Sequence, residues 1–350
     1  MRQRYLTAMV VAAAMVAFVS LTPVPSAGQA PAAAKAKAKA PVKAWVQPKT
    51  PWGDPDIQGM WPATDLINVP MQRDPKLGER NALNDEEFAV REAAAKTTAA
   101  ADSQEFVAPD TKAGINPPSY WLERGKPQRQ ASLVVDPPDG RIPPLTEQAT
   151  RKQAQAKQAK QTRGPNDSWT DHSLYDRCVS RGVMGSILPV IYNNGTQIIQ
   201  APGQVAIRYE MIHETRVIPL DGRPHAGPEI RSYMGDPRGH WEGNTLVVET
   251  TNFLGDRNGI GLNGGGTPHS DALVLTERWT RTGPDSLNYE ATINDPKTFT
   301  KPWKILMPLK LDNNYQLVEY ACHEGNYALM DMLSGARADE KAAAEAAAKK

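Results

Sequence analysis

Residues 272–310 read ALVLTERWTRTGPDSLNYEATINDPKTFTKPWKILMPLK, and this stretch decides the fold class. Leu273, Leu275 and Trp279 recur with a period of two, the spacing that puts side chains on one face of a β-strand. Gly283-Pro284-Asp285 is a turn signal between Ala272–Thr282 and Ser286–Asn294, and Pro302–Lys310 is a third strand candidate. Upstream, the same period marks Ile187–Tyr192, Thr196–Ala201, Gln204–Glu210, Thr215–Pro219 and Thr245–Phe253. Tyr315–Ala321 follows downstream, and Ser132–Val135 is a further short strand. Asn193-Asn194-Gly195, Pro202-Gly203, Asp221-Gly222 and Asp312-Asn313-Asn314 supply the turns. The expectation is a mainly β protein: an antiparallel meander that closes into a barrel-like, lipocalin-like shape or a strongly curved sheet, hiding its edges.

Around this core the chain changes character. Arg2 and Arg4, the apolar run Ala8–Leu21 and the small residues Ser26–Ala30 read as a secretory signal over residues 1–30, too short to span a bilayer comfortably. Residues 31–47 begin with Ala/Lys/Pro low complexity and read as a tether, residues 48–130 as an extended arm over the core. The core domain runs over 131–335, and the Ala/Glu/Lys tail 336–350 lacks an apolar stripe to bury. Two helices are predicted: Asn84–Lys96, with Asn84 as N-cap, and Thr146–Gln161, with Thr146 as N-cap. The tail is a third candidate. The mature protein is thus expected in the periplasm or outside the cell, with no membrane contact after signal cleavage. In that setting the only two cysteines, Cys178 and Cys322, are expected to pair.

With 40 basic and 39 acidic residues the formal charge is +1, which leaves no basic excess for nucleic acid. Gly259, Gly261 and Gly264 spell G-x-G-x-x-G, but Gly265-Gly266-Thr267-Pro268 and another strand candidate follow. A dinucleotide site needs a helix there, so the match reads as a loop. No G-x-S-x-G, H-E-x-x-H, C-x-x-C or P-loop pattern is present, which removes the commonest hydrolase, zincin, thioredoxin and NTPase readings.

The candidate chemistry lies in polar residues at strand positions. Arg208, Glu210, Ile212, Glu214 and Arg216 share one face of an ideal strand, and His213 points oppositely. That row is either a solvated face or the lining of an interior in which His213 or His225 moves a proton. Glu249 shares a face with Val247 and Phe253, and Glu277 with Leu273, Leu275 and Trp279. A carboxylate among apolar neighbours needs a partner or an altered pKa, so these two mark either a polar site or ion pairs with Arg216, Arg278 or Arg281. A Cys178–Cys322 bridge would fix His323 and Glu324 near residues 171–177. The candidate catalytic set is therefore Glu210, His213, Arg216, His225, Glu249, Glu277, His323 and Glu324. The sequence requires no cofactor; a divalent metal held by His213, His225 and His323 is the one metal site it suggests, without ligand spacing on one element.

Several of these segments carry a resemblance. Thr50–Gly59, Ala131–Thr146, Glu210-Met211-Ile212-His213, Ile218–His225, Trp241-Glu242-Gly243, Leu246–Phe253 and Ala321-Cys322-His323-Glu324-Gly325-Asn326-Tyr327 resemble a large family of exported bacterial proteins, over roughly residues 48–337. The resemblance implies export but brings no assigned reaction and no catalytic residues. Three functions stay open: an acid–base enzyme (hydrolase, lyase or isomerase) on a small organic or sugar-like molecule, a non-catalytic small-ligand carrier, or a structural or interaction protein. The oligomeric state is also open.

Overall fold

A computed structural model describes residues 45–102, 119–255, 259–261 and 266–349. The secretory segment, residues 31–44 of the tether and part of the glycine loop lie outside the described residues. In chain order the strands are β1 (Gly59–Met60), β2 (Val134–Asp136), β3 (Thr196–Ala201), β4 (Gln204–Tyr209), β5 (Thr215–Pro219) and β6 (Asp236–Glu242). They continue with β7 (Thr245–Thr251), β8 (Gly259–Ile260), β9 (Thr267–Pro268), β10 (Val274–Arg281), β11 (Ser286–Asn294) and β12 (Trp303–Lys310). The helices are α1 (Asp85–Asp102), α2 (Glu147–Gln161) and α3 (Ala328–Ala348).

The chain is mainly β and its strand pairs are antiparallel. The expected closure into one barrel is not found among the described residues. Instead there is a four-stranded sheet of order β1-β3-β4-β5, a six-stranded sheet of order β2-β12-β11-β10-β7-β6, and the small pair β8-β9. The two large sheets share one core. Ile198, Val205, Ile207 and Ile218 come from the first; Leu246, Leu275, Trp279, Tyr289 and Ile305 come from the second. Ile57, Trp61 and Leu66, from the segment before α1, are fully buried in the same cluster.

Three differences from the periodic reading have local causes. Ile187–Tyr192 is not a strand, because the Asn194 side chain takes the place of a partner: its Oδ1 accepts from Val190 N (2.8 Å) and its Nδ2 donates to Val190 O (2.7 Å). Tyr315–Ala321 is not a strand either; the Val318 N–H bonds to a carboxylate of Glu210 (3.0 Å) rather than to a neighbouring strand. β6 is an edge strand with Pro237 and Gly239 in it, a composition that hides strand character but is tolerated where only one side pairs.

The predicted caps are present. The Glu87 N–H donates to Asn84 Oδ1 (2.9 Å) and Glu87 returns the bond to Asn84 N (3.0 Å), a capping box at the start of α1. Thr146 Oγ1 accepts from Ala149 N (3.1 Å) at α2. α3 extends into the Ala/Glu/Lys tail and buries no residue. After Gly261 the next described element is β9, so among the described residues no helix N-terminus follows the glycine motif to meet a pyrophosphate.

Candidate functional site

The eight candidate residues do not converge. They divide into four places, each set by local backbone geometry.

Arg216 and Glu277 are joined in the core. Arg216 Nη1 and Nη2 donate to Glu277 Oε1 and Oε2 at 2.8 and 2.6 Å, and both side chains are almost fully buried. Tyr289 OH donates to Glu277 (3.0 Å), and Arg216 reaches Thr250 (2.9 Å) and Tyr209 (3.4 Å). The pair crosses from β5 of one sheet to β10 of the other. It is the structural ion pair, and burial pushes the neighbouring Tyr209 phenol up to about 12.

Glu249 faces outward, a correction to its expected place among apolar neighbours. Along β7 the inward residues are Leu246, Val248 and Thr250. Asn252 adopts a left-handed backbone (φ 58°), which breaks the alternation and lets Phe253 turn inward while Glu249 stays outside. Glu249 meets His225 Nε2 (3.3 Å), and His225 Nδ1 meets Asp236 (3.2 Å) on that outer face.

The row expected from Arg208 to Arg216 is broken as well. β4 ends at Tyr209, and a turn over Met211–His213 leads into β5. Ile212 (φ 55°) and His213 (φ 44°) are both left-handed, a strained choice for a β-branched residue. The turn sends Glu210 and Glu214 to different places. Glu214 is held by Ser186 Oγ and Arg181 N, and burial raises its carboxyl above the ordinary value. His213 remains exposed, its Nδ1 against Tyr320 O (2.8 Å). Among the described residues no three His, Cys, Asp or Glu side chains are arranged to hold a metal ion, so His213, His225 and His323 do not form the suggested metal centre.

Glu210 and Glu324 reach a cleft of about 940 Å³, while His323, the neighbour of Glu324, is exposed and does not line it. One wall is a strap, residues 311–327, that has neither helix nor strand. Side chains hold this strap onto the core. Tyr315 OH lies between Glu210 (2.5 Å) and Glu123 (2.8 Å). Tyr320 OH meets Tyr175 OH (2.8 Å), which in turn meets Tyr192 OH (2.8 Å). Cys322 is bonded to Cys178, with Cα atoms 5.7 Å apart, and Asn326 donates to Asp176 O (3.4 Å). The disulfide thus brings residues 323–326 to the 171–177 segment.

The strap can come this close because position 195 is glycine: a Cβ there would lie 2.6 Å from Leu317 Cδ2 and 2.7 Å from Tyr315 Cε1. Glu123 is fixed from the other side by Asn194 Nδ2 (2.8 Å) and by its own N–H on Ile191 O (2.8 Å). Burial, then the bond to Glu210, push the Tyr315 phenol far above its ordinary value, and burial does the same to Tyr175. These phenols stay protonated and serve as hydrogen-bond bridges.

Sequence reasoning missed Glu123, Tyr175, Tyr315 and Tyr320. Tyr175 lies three residues before one bridging cysteine and Tyr320 two before the other, which are the only signals they carried. No family model matches the chain, and no match to it was found among curated proteins. No described helix is long and apolar enough to cross a membrane.

Proposed function

We propose that this chain is an exported small-molecule-binding protein whose ligand lies in the cleft under the 311–327 strap. The observation that carries the reading is the cleft itself. Its volume of about 940 Å³ falls in the range of small-molecule sites. Its walls are pinned by a disulfide, by two phenol–carboxylate contacts and by a tyrosine chain, so the cavity exists before a ligand arrives. Preorganisation of that kind lowers the ordering cost of binding. The N-terminal pattern and the disulfide support a place in the periplasm or outside the cell.

The test is native mass spectrometry of the protein purified from its own cells. A small-molecule adduct that disappears with Trp121→Ala, a change in the exposed cleft wall, supports the reading. Protein isolated without any adduct, from cells and from their extract alike, overturns it.

One observation favours a second reading, an acid–base enzyme on a small organic or sugar-like molecule. Two carboxylates, Glu123 and Glu210, contact one phenolic oxygen at the cleft floor, and paired carboxylates are the machinery of general acid–base work. In that case Glu210→Gln abolishes turnover of the adduct molecule while leaving its binding. Turnover unaffected by Glu210→Gln sinks the second reading.

A further inference from the structure

We infer that the ligand of this cleft is an organic cation; the inference rests on the cleft being the ligand site. The charge of the lining points there. Among the described residues five carboxylates line it, those of Glu123, Asp176, Glu210, Glu319 and Glu324, and no Lys, Arg or His does. The chain as a whole is balanced at +1, so this is a local concentration of negative charge and not a reflection of composition. No ion pair among the described residues joins any of the five to a basic side chain.

The five divide by what they touch. Glu210 accepts from Val318 N and Glu123 from Asn194, and both contact the one Tyr315 hydroxyl, whose single proton serves one of them at a time; they are tied down and contribute field. Asp176 accepts from Ser173 N and Oγ. Glu319 and Glu324 are exposed on the strap and make no hydrogen bond or ion pair with another described residue. Carboxylates already engaged by the chain's own donors set the potential, and two unengaged ones remain to meet a guest.

The rest of the lining is aromatic. Tyr120 and Trp121 stand at the wall 81% and 56% exposed, large rings left to water with no partner ring among the described residues other than each other. Tyr175 differs: Arg181 already lies over its ring, 5.1 Å from the centroid, and its hydroxyl is engaged, so that face is taken. Rings beside free carboxylates suit an ammonium group that carries hydrocarbon, through the negative face of the ring and direct charge attraction.

Other ligand classes fit less well. A bare metal ion needs converging oxygen ligands, and no such group exists among the described residues. An anion is repelled by every charged side chain of the lining. A neutral polyol can donate hydroxyl hydrogen bonds to the carboxylates but brings no charge to offset theirs.

Isothermal titration of the full chain with four probes decides: choline, its uncharged isostere 3,3-dimethylbutan-1-ol, glucose and acetate. Choline is expected to bind roughly tenfold or more tightly than the isostere. Glu319→Gln/Glu324→Gln, at exposed positions that leave the fold intact, weakens choline roughly three- to tenfold and leaves the isostere unchanged. Trp121→Ala weakens choline as well. Binding of glucose or the isostere as tight as choline, lost in Trp121→Ala, overturns the cation and leaves the cleft as the ligand site. Choline binding indifferent to Trp121→Ala and to both glutamines removes it from the cleft. No heat from any probe up to roughly 10 mM also overturns the inference; the adduct experiment then decides the cleft by itself.

Discussion

Replacing Glu277 by Leu should unfold this protein at a markedly lower temperature while leaving ligand binding in the strap cleft unchanged in the surviving fold. The carboxylate is fully buried and receives both guanidinium nitrogens of Arg216 and the hydroxyl of Tyr289. Leucine leaves Arg216 charged, buried and without its counter-ion, and the pair spans the two sheets. Removing one partner of such a pair costs about 3–5 kcal/mol. At roughly 2 °C per kcal/mol for a chain of this size, the melting temperature should fall by about 6–10 °C. The second variant, Arg216→Met with Glu277→Leu, fills the space with apolar atoms and removes both charges. It should recover most of the loss, because a buried pair is worth little against a well-packed apolar replacement. Differential scanning calorimetry of the wild type, both single variants and the double variant gives the coupling directly. A Glu277→Leu melting temperature within about 1 °C of wild type, or a double variant no more stable than the worse single one, refutes the claim that this pair is a fastening between sheets.

Other consequences can be checked together. Burial raises the Glu214 carboxyl, so the folded state holds that proton more tightly than the unfolded chain. Its stabilising contribution is complete below the ordinary glutamate value of about 4.3 and is lost as pH rises through the elevated folded value. The difference in melting temperature between wild type and Glu214→Gln should therefore vary with pH across that window, and a pH-independent difference contradicts it. Cys178→Ser/Cys322→Ser opens a loop of sequence separation 144, for which chain entropy sets an upper loss of about 5 kcal/mol. Hydrogen exchange should then accelerate over 311–327 before it does in β10–β12; uniform acceleration throughout argues against a separately held strap. Gly195→Ala places a methyl against Leu317 and Tyr315 and should cost roughly 1–3 kcal/mol, with weakened protection of the Val318 amide. Unchanged stability would mean that the strap does not sit where it is described.

The period of two was sufficient to locate seven of the nine long strand candidates, because alternation follows from one buried face and is written residue by residue. It failed where side chains replaced backbone partners. The Asn194 amide closes the 190–194 turn, and a Glu210 oxygen takes the Val318 amide, and neither leaves a mark in the hydropathy pattern. Glu277 stood out as a carboxylate among apolar neighbours, yet the same argument misplaced Glu249, since one left-handed residue at Asn252 reset the faces.

By itself, then, the sequence determined the β class, the capped helices, the pairing of its only two cysteines and the oddity of Glu277, all of which depend on residue type or on neighbours a few positions apart. Only the tertiary structure decided that most strands form two large sheets with no closed barrel among the described residues, that Arg216 meets Glu277 across them, and that Glu123, Glu210 and Tyr315 share one cleft. These groups stand 87 and 105 residues apart in the chain, from Glu123 to Glu210 and from Glu210 to Tyr315. No local rule links positions so distant; they meet because a disulfide and a glycine without a side chain let the 311–327 strap lie down on the core.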